Sequence, residues 1–151
     1  MQRTIQSVLL AAAIGAIPLV IATTAKAQIT NQIDADIPHT FTVGDATLPA
    51  GRYALRMVGN SDLQTMTIQS KNGDYGAEFL VRQSDDSHTP RHTELIFNRY
   101  GHHEFLEKIY QNGSKIGIAV AEPSHEEARL QKQGQTPVTH TETGAGEDGG
   151  Q

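Results

Sequence analysis

The 151-residue chain sets 12 Lys and Arg against 17 Asp and Glu, contains no Cys and is only 5% aromatic. That acidic balance argues against nucleic acid and anionic lipid surfaces, both of which select basic patches. Without Cys there is no disulfide, no lipid-bearing cysteine and no thiol nucleophile, so stability must come from burial, which this length supports in one domain.

The chain opens with MQRTIQSVLLAAAIGAIPLVIATTAKAQ: a charge at Arg3, an apolar run over residues 8–22, then small residues ending Ala25-Lys26-Ala27. This is the pattern of a cleavable secretory signal with an A-x-A site, expected to leave Gln28 first. The apolar run is shorter than the ~20 residues a spanning helix needs, and Pro18 interrupts it. A periplasmic or extracellular location is expected, with no transmembrane segment after cleavage. Removing Arg3 and Lys26 makes the charge still more negative.

After an N-terminal arm over 28–36, short apolar runs broken by turn residues predict antiparallel β structure. Residues 37–43 alternate, placing Phe41 and Val43 on one face, and Tyr53, Leu55 and Met57 alternate next. Gly44-Asp45-Ala46-Thr47 and Leu48-Pro49-Ala50-Gly51 separate them as turns. A third strand over 63–70 leads into Asn72-Gly73, read as a type I′ hairpin turn, and a fourth covers 76–82. Residues 83–91 are polar and contain Pro90, which marks a surface loop.

Residues 94–100 and 103–110 form a hairpin around Gly101-His102, a Gly-first pair suited to a type II′ turn. The register places Tyr100 opposite His103, Arg99 opposite Glu104 and Phe97 opposite Leu106. Leu95, Phe97, Leu106 and Tyr110 then share one face, with Ile96, Phe105 and Ile109 on the other. Apolar groups on both faces require a cover. After Asn112-Gly113 and a seventh strand over 115–121, a short helix over 124–133 is the candidate cover. Ser124 and Glu127 have capping-box spacing, with Glu126 and Glu127 in the first turn where the dipole favours acids. Residues 134–151 have almost no apolar content and are expected to be disordered.

These runs together, IPHTFTVGDATLPAGRYALR, ELIFNRYGHHEFLEKIY and SHEEARLQ, resemble a group of small exported β-domain proteins of the acidobacterial type. Those proteins share Ile-Pro, Phe-x-Val-Gly, Leu-Pro-Ala-Gly-x-Tyr and Arg-Tyr-Gly in the same order. The likeness spans about residues 33–131 and implies an exported β fold but no activity. One departure is His39, where the resemblance implies an apolar aromatic.

Histidine is the one chemically suggestive residue class. His88, His92, His102 and His103 fall in one loop-hairpin region with Asp85, Asp86 and Glu104, and imidazoles with a carboxylate suit Zn²⁺ or Cu²⁺. Geometry opposes convergence: neighbours His102 and His103 point apart on a strand, and Pro90 prevents a helix from aligning His88 with His92. Solvated loop histidines are the preferred reading. His103-Glu104-Phe105-Leu106-Glu107 lacks the second His of a zincin motif, and no phosphate loop or nucleophile elbow is present. Asp85/Asp86 and Glu126/Glu127 read as solvated or dipole-facing acids. Tyr75 and Tyr100, beside turns, are the aromatic residues nearest to exposure, with cross-strand packing the expected role.

The sequence therefore predicts a mainly all-β fold, an antiparallel β-sandwich or partly closed barrel of about seven strands with a short C-terminal helix, as a single domain over 37–133. The expected function is non-catalytic, in binding or envelope structure, with an envelope or extracellular partner and no cofactor. The alternative is a carrier of a small apolar ligand, or of a metal through the His88–His103 region. A filled or hollow interior at Phe41, Tyr53, Leu55, Leu95, Phe97 and Leu106 separates these readings.

Overall fold

Alternating apolar residues build strand after strand, because side chains two apart on an extended chain share a face. The computed structural model describes residues 32–58, 64–85 and 89–144; the expected signal peptide lies outside them. Among the described residues there are ten strands and one helix. The strands are β1 Gln32–Ile37, β2 Phe41–Val43, β3 Ala46–Leu48, β4 Gly51–Val58 and β5 Gln64–Ser70, then β6 Gly76–Asp85, β7 Glu94–Tyr100, β8 His103–Tyr110 and β9 Ile116–Val120. Helix α1 His125–Lys132 follows, and β10 Val138–Thr143 comes last.

The ladder runs β1-β4-β5-β6-β9-β8, and β8 pairs on its other side with β7, which pairs with β10. The short β2–β3 hairpin joins the β9 side of β8 through a parallel contact, Thr42 with Phe105. The other pairings are antiparallel. The sheet is not closed into a barrel: β1 and β10, two of its end strands, approach each other without pairing among the described residues. Phe41, Tyr53, Leu55, Leu95, Phe97 and Leu106 belong to one packed cluster, none more than 3% exposed, so these positions fill the interior. Among the described residues no helix is long and apolar enough to cross a membrane.

The mainly β, antiparallel architecture with a short helix matches the sequence expectation, while several details differ. The arm expected over 28–36 contains most of β1, whose Ile33, Ala35 and Ile37 are buried. The strand expected over 37–43 is broken after Ile37, because Pro38 has no N–H to continue a ladder. Gly44-Asp45 alone makes a two-residue turn, with Gly44 at φ 55°, and Ala46–Leu48 is strand. Asn72-Gly73 is not a type I′ turn, since Asn72 keeps a negative φ. The loop over 71–75 turns instead through a Gly73 N–H to Ser70 carbonyl bond of 2.9 Å. Tyr53 donates its hydroxyl to the Pro49 carbonyl at 2.6 Å and pins the neighbouring turn.

The central hairpin keeps its expected register from Tyr100/His103 to Phe97/Leu106. A bulge then leaves Glu107 without an opposite residue, so Ile109 faces Leu95 and Tyr110 faces Glu94. One extra residue reverses the faces beyond it. Ile109 therefore joins the main core, and the Tyr110 ring lies over Gly117 on β9. The outer face of the hairpin is covered by α1, whose Leu130 packs with Tyr100 and Phe105. Tyr100 is thus buried, whereas Tyr75 is about half exposed at 49%.

Part of the tail expected to be disordered over 134–151 is strand, and residues 145–151 lie outside the described residues. Val138–Thr143 forms β10, paired residue for residue with β7 from Val138/Arg99 to Thr143/Glu94. Its alternate Thr residues are β-branched and suit an extended backbone, so low apolar content concealed a real strand.

Candidate metal centre

The break after Ile37 has a chemical consequence. Released from the ladder at Pro38, the chain bends, and His39 turns its ring edge-on to Phe97, with centroids 5.0 Å apart. This is where the resemblance implied an apolar aromatic; the imidazole occupies an aromatic environment and adds two nitrogens. Strand β10 brings the second imidazole. His140 pairs with Phe97 and Glu142 with Leu95, and directly paired residues share a face. Both therefore face inward, and His140 stacks on Phe97 at 5.7 Å with rings 21° apart.

His39 Nε2 lies 3.7 Å from Glu142 Oε1, and His140 Nε2 lies 3.8 Å from the same oxygen. One ligand atom from each of His39, His140 and Glu142 falls within 4.8 Å of the others. Behind His140 stands Glu104 of β8, only 9% exposed, with Oε2 3.6 Å from His140 Nδ1. The expected Arg99/Glu104 pair also forms, loosely, at 3.9 Å. These separations are too long for hydrogen bonds. Both nitrogens of His39, Nδ1 of His140 and Oε2 of Glu104 are accordingly buried without a hydrogen-bond partner.

Buried polar atoms left unpaired are costly and rare; of these four, His39 Nε2 is the one that faces Glu142, while His140 Nδ1 and Glu104 Oε2 face each other. Ligand bonds of ~2.0–2.2 Å around a tetrahedral ion place donor atoms about 3.4 Å apart. The two histidine-to-carboxylate separations, 3.7 and 3.8 Å, require a slight contraction, and the two imidazoles, within 4.8 Å of each other, must close together as well. Two imidazoles and one carboxylate suit Zn²⁺ or Cu²⁺ rather than Ca²⁺ or Mg²⁺, which take oxygen ligands. A carboxylate on the remote nitrogen of a ligating histidine is the usual support for such a ligand, because it orients the ring.

The histidines singled out from the sequence lie elsewhere. His88 is outside the described residues, and His92, His102 and His103 are exposed. His102 and His103 border an open cleft of about 540 Å³ with His125, Asp45, Glu104 and Glu126. His103 stacks on Phe105 at 6.4 Å. Across the cleft His125 bonds Asp45 twice, through its backbone N–H and through Nδ1, each at 2.9 Å. These two bonds hold the exposed Asp45 carboxyl below its ordinary range.

The acidic pairs are redistributed as well. Asp86 lies outside the described residues, and Asp85 is exposed at the end of β6. Glu126 accepts from Arg129 Nε at 3.0 Å, which lowers its carboxyl pKa. Ser124 caps α1 by accepting from the Glu127 N–H at 3.1 Å. The Glu127 carboxylate does not return to Ser124: Asn98 Nδ2 donates to it at 3.3 Å and to Glu107 at 3.2 Å. Burial raises the Glu127 pKa; the Asn98 bond opposes this and the nearby Glu107 charge adds to it.

The four residues of the cluster were visible in the sequence only as fragments. His39 stood out as a departure, Glu104 as half of an ion pair, and His140 and Glu142 lay in the expected tail. The available signal was the alternation Thr139-His140-Thr141-Glu142-Thr143, which sends His and Glu to one face of a strand. No protein-family model, curated protein or solved structure matches the chain.

Proposed function

We propose that the protein is an exported, non-catalytic β-domain module with a binding role, and that its ligand is a divalent transition-metal ion held by His39, His140 and Glu142. The observation that carries the reading is the convergence of these three ligand groups within 4.8 Å, with His39 Nε2 buried and without a hydrogen-bond partner. Export rests on the signal-like segment over 1–27 and on the resemblance to exported β-domain proteins; the setting is the envelope or the medium. Glu104 faces Nδ1 of His140, away from the Nε2 that looks toward Glu142. It therefore orients a ligand and offers no base on the metal side. The interior is filled at the six positions that would line an apolar cavity, so the metal is favoured over an apolar ligand.

Calorimetric titration of untagged protein, purified without chelators, tests the reading with Zn²⁺. One ion per chain is expected, with affinity reduced at least tenfold by His39→Ala, His140→Ala or Glu142→Ala and unchanged by His92→Ala or His102→Ala. Zinc binding indifferent to His140→Ala overturns the assignment, and a turnover lost on a single substitution overturns the non-catalytic part.

A further inference from the structure

The ligands come from two different end strands of the sheet or their immediate continuation. His39 lies two residues beyond β1, while His140 and Glu142 project from β10. These end strands run close together: a Cβ on Gly144, just past β10, would sit 3.3 Å from the Asp34 carbonyl oxygen of β1. They do not pair among the described residues, so the seam has no hydrogen-bond ladder of its own.

The two edges are anchored unequally. β1 buries Ile33, Ala35 and Ile37. β10 buries no apolar side chain: Val138 is 56% exposed, and its other inward positions are His140 and Glu142. It is held by its ladder to β7, by the Thr139 hydroxyl donating to Asn98 at 3.1 Å, and by the Gly144 N–H bonding the Thr93 carbonyl at 2.7 Å. A segment with few apolar contacts and an outer hydrogen-bond ladder belongs to the part of a protein that opens most easily.

We propose that metal loading latches the sheet: the ion ties His39 on the β1 side to His140 and Glu142 on β10, and so controls opening of the C-terminal strand. The proposal rests on the metal-binding reading above. Any opening that lifts β10 from the seam must break the bonds from either His39 or the two β10 ligands, and therefore competes with metal binding. Because the open form keeps at most the two β10 ligands, with at least about tenfold lower affinity, such openings become about tenfold rarer or more at a free metal concentration 100 times Kd. With His39 removed, an ion retained on His140 and Glu142 travels with β10 and leaves opening unhindered. His39 is the latch residue, and Glu104 positions its opposite partner.

Amide hydrogen exchange on the full purified chain, with Zn²⁺ or with chelator, provides the test. In the parent protein, exchange of a peptide covering residues 134–144 should slow about tenfold or more at zinc 100 times Kd. In His39→Ala with zinc bound at His140 and Glu142, the same peptide should exchange at its metal-free rate. Zinc that binds the parent stoichiometrically without slowing this peptide overturns the latch and leaves the metal site standing. Failure of the parent to bind zinc overturns both. The comparison with and without metal on the parent chain decides the question even where His39→Ala does not fold.

Discussion

Gly117→Ala tests the bulge that divides the two faces of the central hairpin. Because Glu107 is the extra residue, Tyr110 turns away from the main core and its ring covers Gly117, its direct partner on β9. A Cβ on Gly117 would lie 2.4 Å from Tyr110 Cε1 and 2.9 Å from Cδ1. Carbon atoms rest at about 3.5–4.0 Å, so the ring must withdraw by about 1 Å, and it is only 4% exposed. Overpacking of this kind costs about 1–3 kcal/mol. Gly117 does not have the positive φ that would strain alanine, so restriction of the unfolded chain returns about 0.4–1 kcal/mol. The net expectation is destabilisation by about 1–2 kcal/mol, a fall in Tm of about 4–8 °C for a domain of this size. Urea denaturation of Gly117→Ala, Tyr110→Leu and the double variant closes a cycle. In the Tyr110→Leu background Gly117→Ala should become neutral or stabilising, with a coupling above about 0.5 kcal/mol. Equal cost in both backgrounds would refute the ring-over-glycine geometry and the bulge behind it.

Glu127→Gln probes the buried carboxyl under α1. A carboxyl with a folded pKa above its unfolded value binds its proton more tightly when folded, so its contribution falls as pH rises from the unfolded pKa, about 4.3 for Glu, through the raised folded value. The variant should melt above the parent at pH 7 and level with it near or below about pH 4; an advantage that does not change with pH would contradict the assigned burial effect. Phe97→Ala removes a fully buried ring against which both imidazoles pack. It should cost about 3–5 kcal/mol in urea denaturation and weaken Zn²⁺ at least tenfold by calorimetry under native conditions, and a loss below about 1 kcal/mol would show that the ring is not a core anchor.

Much of the β architecture was legible because it is local. Alternation at Tyr53 and Leu55, though not at the exposed Met57, the Gly101-His102 turn, the register from Tyr100/His103 to Phe97/Leu106 and the Ser124 cap each depend on residues near in sequence. They are governed by backbone dihedrals, period-two side-chain direction and end-capping, and they reappear in β4, in the β7–β8 hairpin and in α1. The bulge at Glu107 was not legible, because an inserted residue is chosen by how both faces pack. The strand Val138–Thr143 was missed for a related reason: its stability comes from β7, a partner about 40 residues earlier, and not from apolar residues of its own.

The chain by itself determined that it would fold as antiparallel β structure without disulfides, with His and Glu available for metal chemistry but no motif joining them. Only the tertiary structure decided which of them meet. His39, Glu104, His140 and Glu142 converge because Pro38 ends β1 beside the seam and β10 returns along β7. Local patterning sets the direction of each side chain. The distance between residues about 100 positions apart is set by strand pairing and core packing across the whole sheet.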